Sequence, residues 1–439
     1  MKAGERAQDV RSSDEAGYPS RSYAWIVVAI LIATAILSYT DRQVLSLLVD
    51  PIRSELRISD TQISLLLGTA FAVVYGIAGI PLGFLADRTS RRNLIFIGVL
   101  VWSCGTLACG LSHSFGQLFG ARIVVGLGEA VLSPAAISLI SDYFPPSRRG
   151  TAVGCFLSGI AMGIGASILI GGGVLHLVET GALAATGLGS QAPWRLVLLF
   201  IGAPGILWSL AILFIREPAR HLTAAATEQA GEAEAPWRST TWARVAPIYL
   251  VVAIASLVDN AVGGWAPTLL IREFARNPGQ IGMQLGLFLT AGFGGGVLLG
   301  GWLADRAGAR GGWPYKLRVC LGSALLILPV AFLINVSQFT IVLLAIPLYF
   351  ALSGIVTACG FSAILDVVPN RSRGLAMALS FFLNVALGAG VGPTAVAMAS
   401  DNLFGAAAGL GPALTLTVAA SYGLAVLTLL ATLACQPRR

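Results

Sequence analysis

Charge is scarce in this chain. Only 11% of its 439 residues are Asp, Glu, Lys or Arg, against 56% hydrophobic residues. With a mean hydropathy of +0.80 there is too little polar surface for a water-soluble fold of this length, so a bilayer must cover the rest. Histidine is scarcer still: His113, His176 and His221 are all there are, and each falls at a predicted helix end or in a loop. This leaves no histidine to serve a catalytic constellation or to relay protons through the membrane core, and the chain is expected not to be an enzyme. No Gly-x-x-x-x-Gly-Lys-Ser/Thr segment occurs, which removes ATP as the expected energy source. The six cysteines (Cys104, Cys109, Cys155, Cys320, Cys359 and Cys435) sit in apolar stretches without metal-like spacing and read as small core residues. No metal or cofactor is expected. The first 22 residues are polar and hold no separate apolar stretch with a cleavage site, so the first span is expected to be its own insertion signal.

What is present is a repeat. Gly83-Phe84-Leu85-Ala86-Asp87-Arg88 returns 218 residues later as Gly301-Trp302-Leu303-Ala304-Asp305-Arg306. The frame Asp142, Pro145, Arg149, Gly150 recurs as Asp366, Pro369, Arg373, Gly374 at an offset of 224, and Ser38-Tyr39-Thr40-Asp41-Arg42 is echoed by Ser256-Leu257-Val258-Asp259-Asn260. Three matches in one order inside apolar sequence indicate two homologous halves.

A span length of roughly 20 apolar residues predicts helices near 23–49, 61–86, 93–111, 115–142, 150–177 and 194–215. A second six follow near 244–270, 281–304, 314–336, 339–366, 374–399 and 411–434. The predicted fold is an all-α integral membrane protein of twelve transmembrane helices in two pseudo-symmetric six-helix domains. Its expected divisions are a cytoplasmic tail at 1–22, domains at 23–215 and 244–436, and a polar cytoplasmic linker at 216–243. With the N-terminus placed inside, 21 of the 28 basic residues lie in cytoplasmic segments and five (Arg53, Arg57, Arg195, Arg272 and Arg276) lie outside. The positive-inside rule then predicts both termini in the cytoplasm and a multi-pass protein of a cell inner membrane. It also disposes of nucleic acid as the reason for the net charge of +7.

Glycine, with 52 residues, is used well above the soluble average of about 7%. In the fifth span Gly150, Gly154, Gly159, Gly163, Gly165 and Gly171 leave a smooth face on which a neighbouring helix can pack closely or slide, and the eleventh has Gly388, Gly390 and Gly392.

A charged side chain in hydrocarbon costs at least about 2.5–3.5 kcal/mol and normally faces a partner or a water-filled cavity. Five side chains qualify. Asp41 and Arg42 in the first span lie at the depth bracketed by Arg122 and Glu129 in the fourth, whose separation of seven puts them on one helix face. Together they form a four-charge cluster of zero net charge, and Asp259 lies at the equivalent depth in the second half beside Asn260. One reading makes the cluster an architectural clamp between helices 1 and 4. The other makes Asp41 and Glu129 the proton-coupling pair, Arg42 the contact for an anionic substrate and Arg122 a more permanent counter-ion beside it, because an anion on Arg42 would withdraw its support from the carboxylates. The second half offers Tyr349 and Phe350 in the tenth span and Asn384 in the eleventh. A cavity ionic on one wall and apolar on the other suits an amphipathic molecule.

The twelve helices in two repeats, with Gly-x-Leu-Ala-Asp-Arg loops after the second and eighth, resemble the major facilitator superfamily of secondary transporters over residues 20–436. That resemblance implies a cytoplasmic charge cluster of Asp87, Arg91 and Asp142 that latches the domains together when the cavity faces outward. Arg88 and Arg149, and Asp305 and Arg306 of the second copy, belong to the same expected gate. Ser90 stands where the family often has Gly, and the second copy keeps Gly308, so the first turn is expected to be less tight. Ser38-Tyr39-Thr40-Asp41-Arg42, Arg122-Ile123-Val124-Val125-Gly126-Leu127-Gly128-Glu129-Ala130, Ser59-Asp60-Thr61-Gln62 and Trp194-Arg195 are similar to the spinster group of lipid transporters. Organic-anion symporters of the superfamily carry similar Tyr-x-Asp-Arg and Gly-Glu-Ala segments, and helix 5 lacks the Gly-Pro pair of typical drug/proton antiporters.

The expected function is proton-coupled secondary transport of an amphipathic, lipid-like organic anion of the lysolipid or sphingoid type by alternating access, driven by the proton gradient. The alternatives are a small-carboxylate/proton symporter, a multidrug efflux carrier, and, from another class, a channel or receptor. The expected partners are the small amphipathic substrate and membrane lipids, with no nucleic acid and a monomeric state.

Overall fold

The computed structural model describes residues 18–181, 192–220, 239–368, 373–405 and 409–435. Most of the tail and linker expected at 1–22 and 216–243 lies outside the described residues, as do the side chains of Asp87 and Arg149. Among the described residues there is no strand, and eleven helices are long and apolar enough to cross a membrane. The segment 373–404 is one further helical run, which makes the twelfth. In chain order the spans of the first half are α1 (Arg21–Leu47), α2 (60–88), α3 (Arg91–Gly110), α4 (Phe115–Tyr143), α5 (Pro146–Glu179) and α6 (Pro193–Ile212). Those of the second half are α7 (Ser239–Phe274), α8 (Pro278–Gly311), α9 (Trp313–Leu333), α10 (Phe339–Val367), α11 (373–404) and α12 (Leu410–Ala434).

The sequence sets the helix starts locally. Ser59 and Gln62 make a reciprocal capping box at α2, while Ser90, Ser114 and Asn277 each accept a hydrogen bond from the backbone N–H three residues on. These contacts satisfy main-chain donors that a helix N-terminus leaves free. Proline occupies the first turn of α5, α6, α8 and α9, where its missing N–H costs nothing.

The ends of the two repeat loops differ. The helix of the first copy stops at Arg88. That of the second continues through Asp305 and Arg306 to Gly311, where Gly312 at φ +71° ends it. The eighth span thus runs about two turns beyond the predicted limit at 304.

Four helices depart from regular α geometry near mid-membrane. α1 tightens into a 3-10 turn at Val44–Leu47, just after Asp41 and Arg42. α4 is interrupted at Ala130 and Val131, immediately after Glu129. α2 and α11 each contain a π turn, Leu65–Thr69 and Asn384–Ala389, and such turns recur at functional sites.

The halves meet along two seams. α2 lies against α11 at the paired π turns, where a Cβ on Gly68 would run into the Ala389 carbonyl. α5 lies against α8, where a Cβ on Gly172 would come within 2.6 Å of the Gly282 backbone. The α5 glycines serve two neighbours, with Gly159, Gly163 and Gly171 facing α1 and Gly165 and Gly172 facing α8. Close approach of this kind supplies van der Waals packing where lipid offers no hydrophobic drive.

Candidate functional site

Three charged assemblies lie at three depths. At mid-membrane the Arg42 guanidinium donates to Glu129 Oε2 at 2.7 Å. Its carbon lies 3.9 Å from the Phe71 ring centroid, 4.9 Å from that of Tyr39 and 5.7 Å from that of Tyr75. Tyr39 is one helical turn from Arg42, and Phe71 and Tyr75 are one turn apart on α2, directly after its π turn. Cation–π contact contributes about 0.5–2 kcal/mol at such sites, and Glu129 supplies the charge partner that burial demands. The Arg42 side chain keeps 16% of its surface exposed, whereas Glu129 is fully covered. Arg42 is therefore a cation held from behind with one side open.

Asp41 and Arg122 do not complete a symmetric four-charge cluster. Both are buried. Arg122 Nε donates to the Leu66 carbonyl at 3.3 Å and Nη1 to the Asp41 carbonyl at 3.4 Å. Those acceptors lie where α2 enters its π turn and α1 approaches its 3-10 turn, so Arg122 satisfies main chain at two breaks in the helical ladder. Its expected place as a substrate contact is corrected on this point, since a side chain covered by α1 and α2 presents no surface to a cavity. Neither carboxyl oxygen of Asp41 makes a hydrogen bond, and its neighbour Thr106 gives its own proton to the Trp102 carbonyl at 3.1 Å.

Among the described residues of the second half no guanidinium lies at this depth. Tyr349 Oη donates to Asp259 Oδ1 at 2.7 Å, and Tyr422 Oη donates to Ser353 Oγ at 2.9 Å. Tyr349 and Phe350 were expected on the cavity wall, but both are fully buried. Phe350 packs edge-on against Phe293 and Tyr349, and the bond to Asp259 holds Tyr349 inside the bundle. Asn384 opens the π turn of α11, half-buried, with its carbonyl accepting from Ser256 at 3.0 Å.

At the arginine-rich face Arg91 pairs with both Asp142 and Glu217, the latter at 2.8 Å. Burial pushes the Glu217 carboxyl up. The Arg92 N–H, the Arg91 side chain and the Ser90 hydroxyl outweigh it and hold the group below the ordinary glutamate range. All these residues belong to the first half, so the cluster staples α3, α4 and the end of α6 rather than bridging the halves. Arg88 and Asp305 are exposed, and Arg306 stacks on Trp302 at 3.9 Å.

The bridging charges are at the opposite face. Arg272 of α7 donates to Asp50 at 2.8 Å and to both oxygens of Asp60 at 2.7 and 2.9 Å, and Asp60 is almost fully buried. Thr61 to Asp401, Thr69 to the Gly390 carbonyl, Thr268 to the Ser46 carbonyl and Asn277 to Glu179 continue this seal. These bonds between the halves run from the Arg272 cluster inward as far as the paired π turns of α2 and α11. The conformation is closed at that face.

Sequence reasoning missed Asp50, Asp60 and Arg272 as a gate, Glu217 as a partner of Arg91, and the Tyr39, Phe71 and Tyr75 frame. A signal existed for the frame in the one-turn spacings. For Arg272 there was only its place at the outer end of a helix facing an acidic loop. Among the described residues no group of His, Cys, Asp and Glu could hold a metal ion.

The sequence profile of the Major Facilitator Superfamily matches residues 31–393. An MFS-type efflux pump of Mycolicibacterium smegmatis is 31% identical over 430 residues, covering 96% of this chain and 94% of the pump. A hexuronate transporter of Bacillus subtilis is 26% identical, covering 81% of this chain and 83% of the transporter. The crystal structure of a bacterial homologue of the human lysosomal transporter spinster, inward-facing and unoccupied, aligns with a TM-score of 0.79 at 25% identity, covering 94% of this chain and 99% of that one. The profile match, the near full-length relatives and the twelve-helix fold together make this chain a spinster-like member of the major facilitator superfamily, a family of membrane transporters.

Proposed function

We propose that the protein is a proton-coupled carrier of an amphipathic organic anion, with Arg42 as the head-group contact and Asp41 as the proton site. The observation that carries this reading is the asymmetry of the two carboxylates. Glu129 is tied to a half-open Arg42, whereas Asp41 is buried next to it with no bond to its carboxyl oxygens. An anion arriving on the open side of Arg42 competes with Glu129 for the guanidinium, and Glu129 or Asp41 then takes up a proton to restore local neutrality. Substrate and proton are linked through one cation. The partly exposed Tyr39 and Tyr75 rings offer the apolar contact that an amphipathic anion needs, with the buried Phe71 ring backing the guanidinium.

Alternating access follows as rocking about the α2–α11 and α5–α8 seams, opposed at one face by the Arg272, Asp50 and Asp60 bonds. Placing the arginine-rich face in the cytoplasm, by the positive-inside rule, makes the closed face external and the conformation inward-facing, with both termini inside a bacterial-type inner membrane. The proton gradient supplies the energy and no cofactor enters the scheme.

A lysolipid or sphingoid substrate is the finer form of the proposal, supported by the resemblance to spinster-type structures. The name of the hexuronate relative favours a second form, a small polar carboxylate. Counterflow in proteoliposomes with lysophospholipids, sphingoid lipids and hexuronates decides between them. Saturable counterflow of a lipid-like anion is the expected result. Saturation by a hexuronate alone replaces the lipid form, and flux that never saturates removes the carrier reading.

A further inference from the structure

A cleft separate from Arg42 lies on the outer side of α8 and α9 at the arginine-rich face. It encloses about 390 Å³ and is lined by Arg306, Arg310 and Arg318 with Trp302, Tyr315 and Val319. No carboxylate lines it, and among the described residues none of the three arginines has an acidic partner. Two lie over aromatic rings, Arg306 over Trp302 at 3.9 Å and Arg318 over Tyr315 at 4.3 Å. A stacked guanidinium keeps its in-plane donors free and loses little further freedom on binding an oxyanion.

The arrangement depends on the helix extension of the second repeat. Because α8 stays helical to Gly311, Arg306 and Arg310 stand one turn apart on one side. In the first repeat Arg88 is exposed, but the basic residues around it are occupied. Arg91 has Asp142 and Glu217, Arg92 donates to the Leu213 and Ile215 carbonyls, and Arg220 donates to those of Ala86 and Thr89. Even Lys316 is occupied, with Asp366 at 2.6 Å.

An apolar groove lies further along the same helix. Leu298 lies one turn before Trp302 on the same face of α8 and lines a groove of about 270 Å³ formed with Leu287, Thr290, Ala291, Gly294, Gly295 and Met162. Nothing stands within 4 Å of a Cβ position on Gly295. A three-arginine cleft one helical turn from an apolar groove at membrane depth matches a phosphate head group with an attached acyl chain, and free phosphate would leave the groove unused.

We propose that this site binds the anionic head group of a phospholipid from the adjoining leaflet, with one acyl chain in the Gly294–Gly295 groove. The test is native mass spectrometry and thermal stability of the purified full chain with phosphatidylglycerol, phosphatidylcholine, glycerol phosphate or inorganic phosphate. Phosphatidylglycerol is expected to be retained and protective, and phosphatidylcholine is not. The triple variant Arg306→Ala, Arg310→Ala, Arg318→Ala should bind it about 100-fold more weakly, since each basic residue near a membrane surface contributes about fivefold. Gly295→Leu should weaken phosphatidylglycerol binding and leave the weak glycerol phosphate effect unchanged, while Arg88→Ala, on the exposed arginine of the other repeat, should keep full retention. Undiminished retention by a folded triple variant overturns the site. Equal protection by inorganic phosphate, or indifference to Gly295→Leu, overturns its assignment to a lipid.

Discussion

The two halves carry the same acidic residue at the same repeat position and treat it differently. In the first, Asp41 precedes Arg42, and the neighbouring space holds Glu129 and Arg122. In the second, Asp259 precedes Asn260, and the carboxylate accepts from Tyr349. On the proposed function, the first half has a cation that an arriving anion can take from its partner. The second has a carboxylate satisfied by a phenol, with no cation to contest. On that proposal, homologous helices separate a half that couples charge from one that supplies a neutral wall.

The largest effect is expected where that cation is removed. Arg42→Ala should abolish substrate binding, because truncating one member of a buried charge pair costs about 2–5 kcal/mol and strands Glu129. Arg42→Lys should leave a folded protein that binds about tenfold more weakly, since an ammonium cannot reproduce the planar contact with Phe71. Equilibrium binding to detergent-solubilised protein checks both. Arg122→Ala sharpens the contrast within the first half. By freeing two buried carbonyls it should lower stability by about 2–5 kcal/mol while leaving affinity within about threefold in the fraction that remains folded. Loss of affinity at unchanged stability would return Arg122 to the binding site.

A smaller effect concerns the staple at the arginine-rich face. The Glu217 carboxyl is held below its ordinary range, so its contribution is complete above the unfolded value near 4.3 and is lost as pH falls through the lower folded value. Glu217→Gln should cost about 1 kcal/mol at pH 7, a partly exposed staple being worth little more. The gap between variant and parent melting curves should close in strong acid. The smallest effect is expected at Asp259→Asn, whose amide oxygen still accepts from Tyr349. Transport should keep its pH dependence, and a flattened pH profile would move the proton site into the second half.

The fold was legible because its signals are long and physical. Apolar runs set the spans, the 218-residue repeat set the halves, and five charges in hydrocarbon stood out against their surroundings. Less legible was which charge pairs with which. Arg42 and Arg122 are equivalent by composition and depth. Only the π turn of α2 and the 3-10 turn of α1 create the free carbonyls that occupy Arg122, and neither break has a sequence mark as strong as proline. Tyr349 and Phe350 were misplaced for a related reason. Along α10 the mean hydropathy is high on every side, so periodicity could not separate a lipid face, a core face and a cavity face. The Arg272 gate joins residues more than 200 positions apart, and nothing local announces it.

The central claim is that proton and substrate meet at Asp41 and the Arg42–Glu129 pair. Asp41→Asn in proteoliposomes tests it most directly, because the amide keeps the size of the side chain and cannot exchange a proton. The measurement compares substrate counterflow without a pH gradient against accumulation driven by one. The account predicts that counterflow persists and gradient-driven accumulation disappears. Accumulation at the parental rate under the same gradient would contradict it.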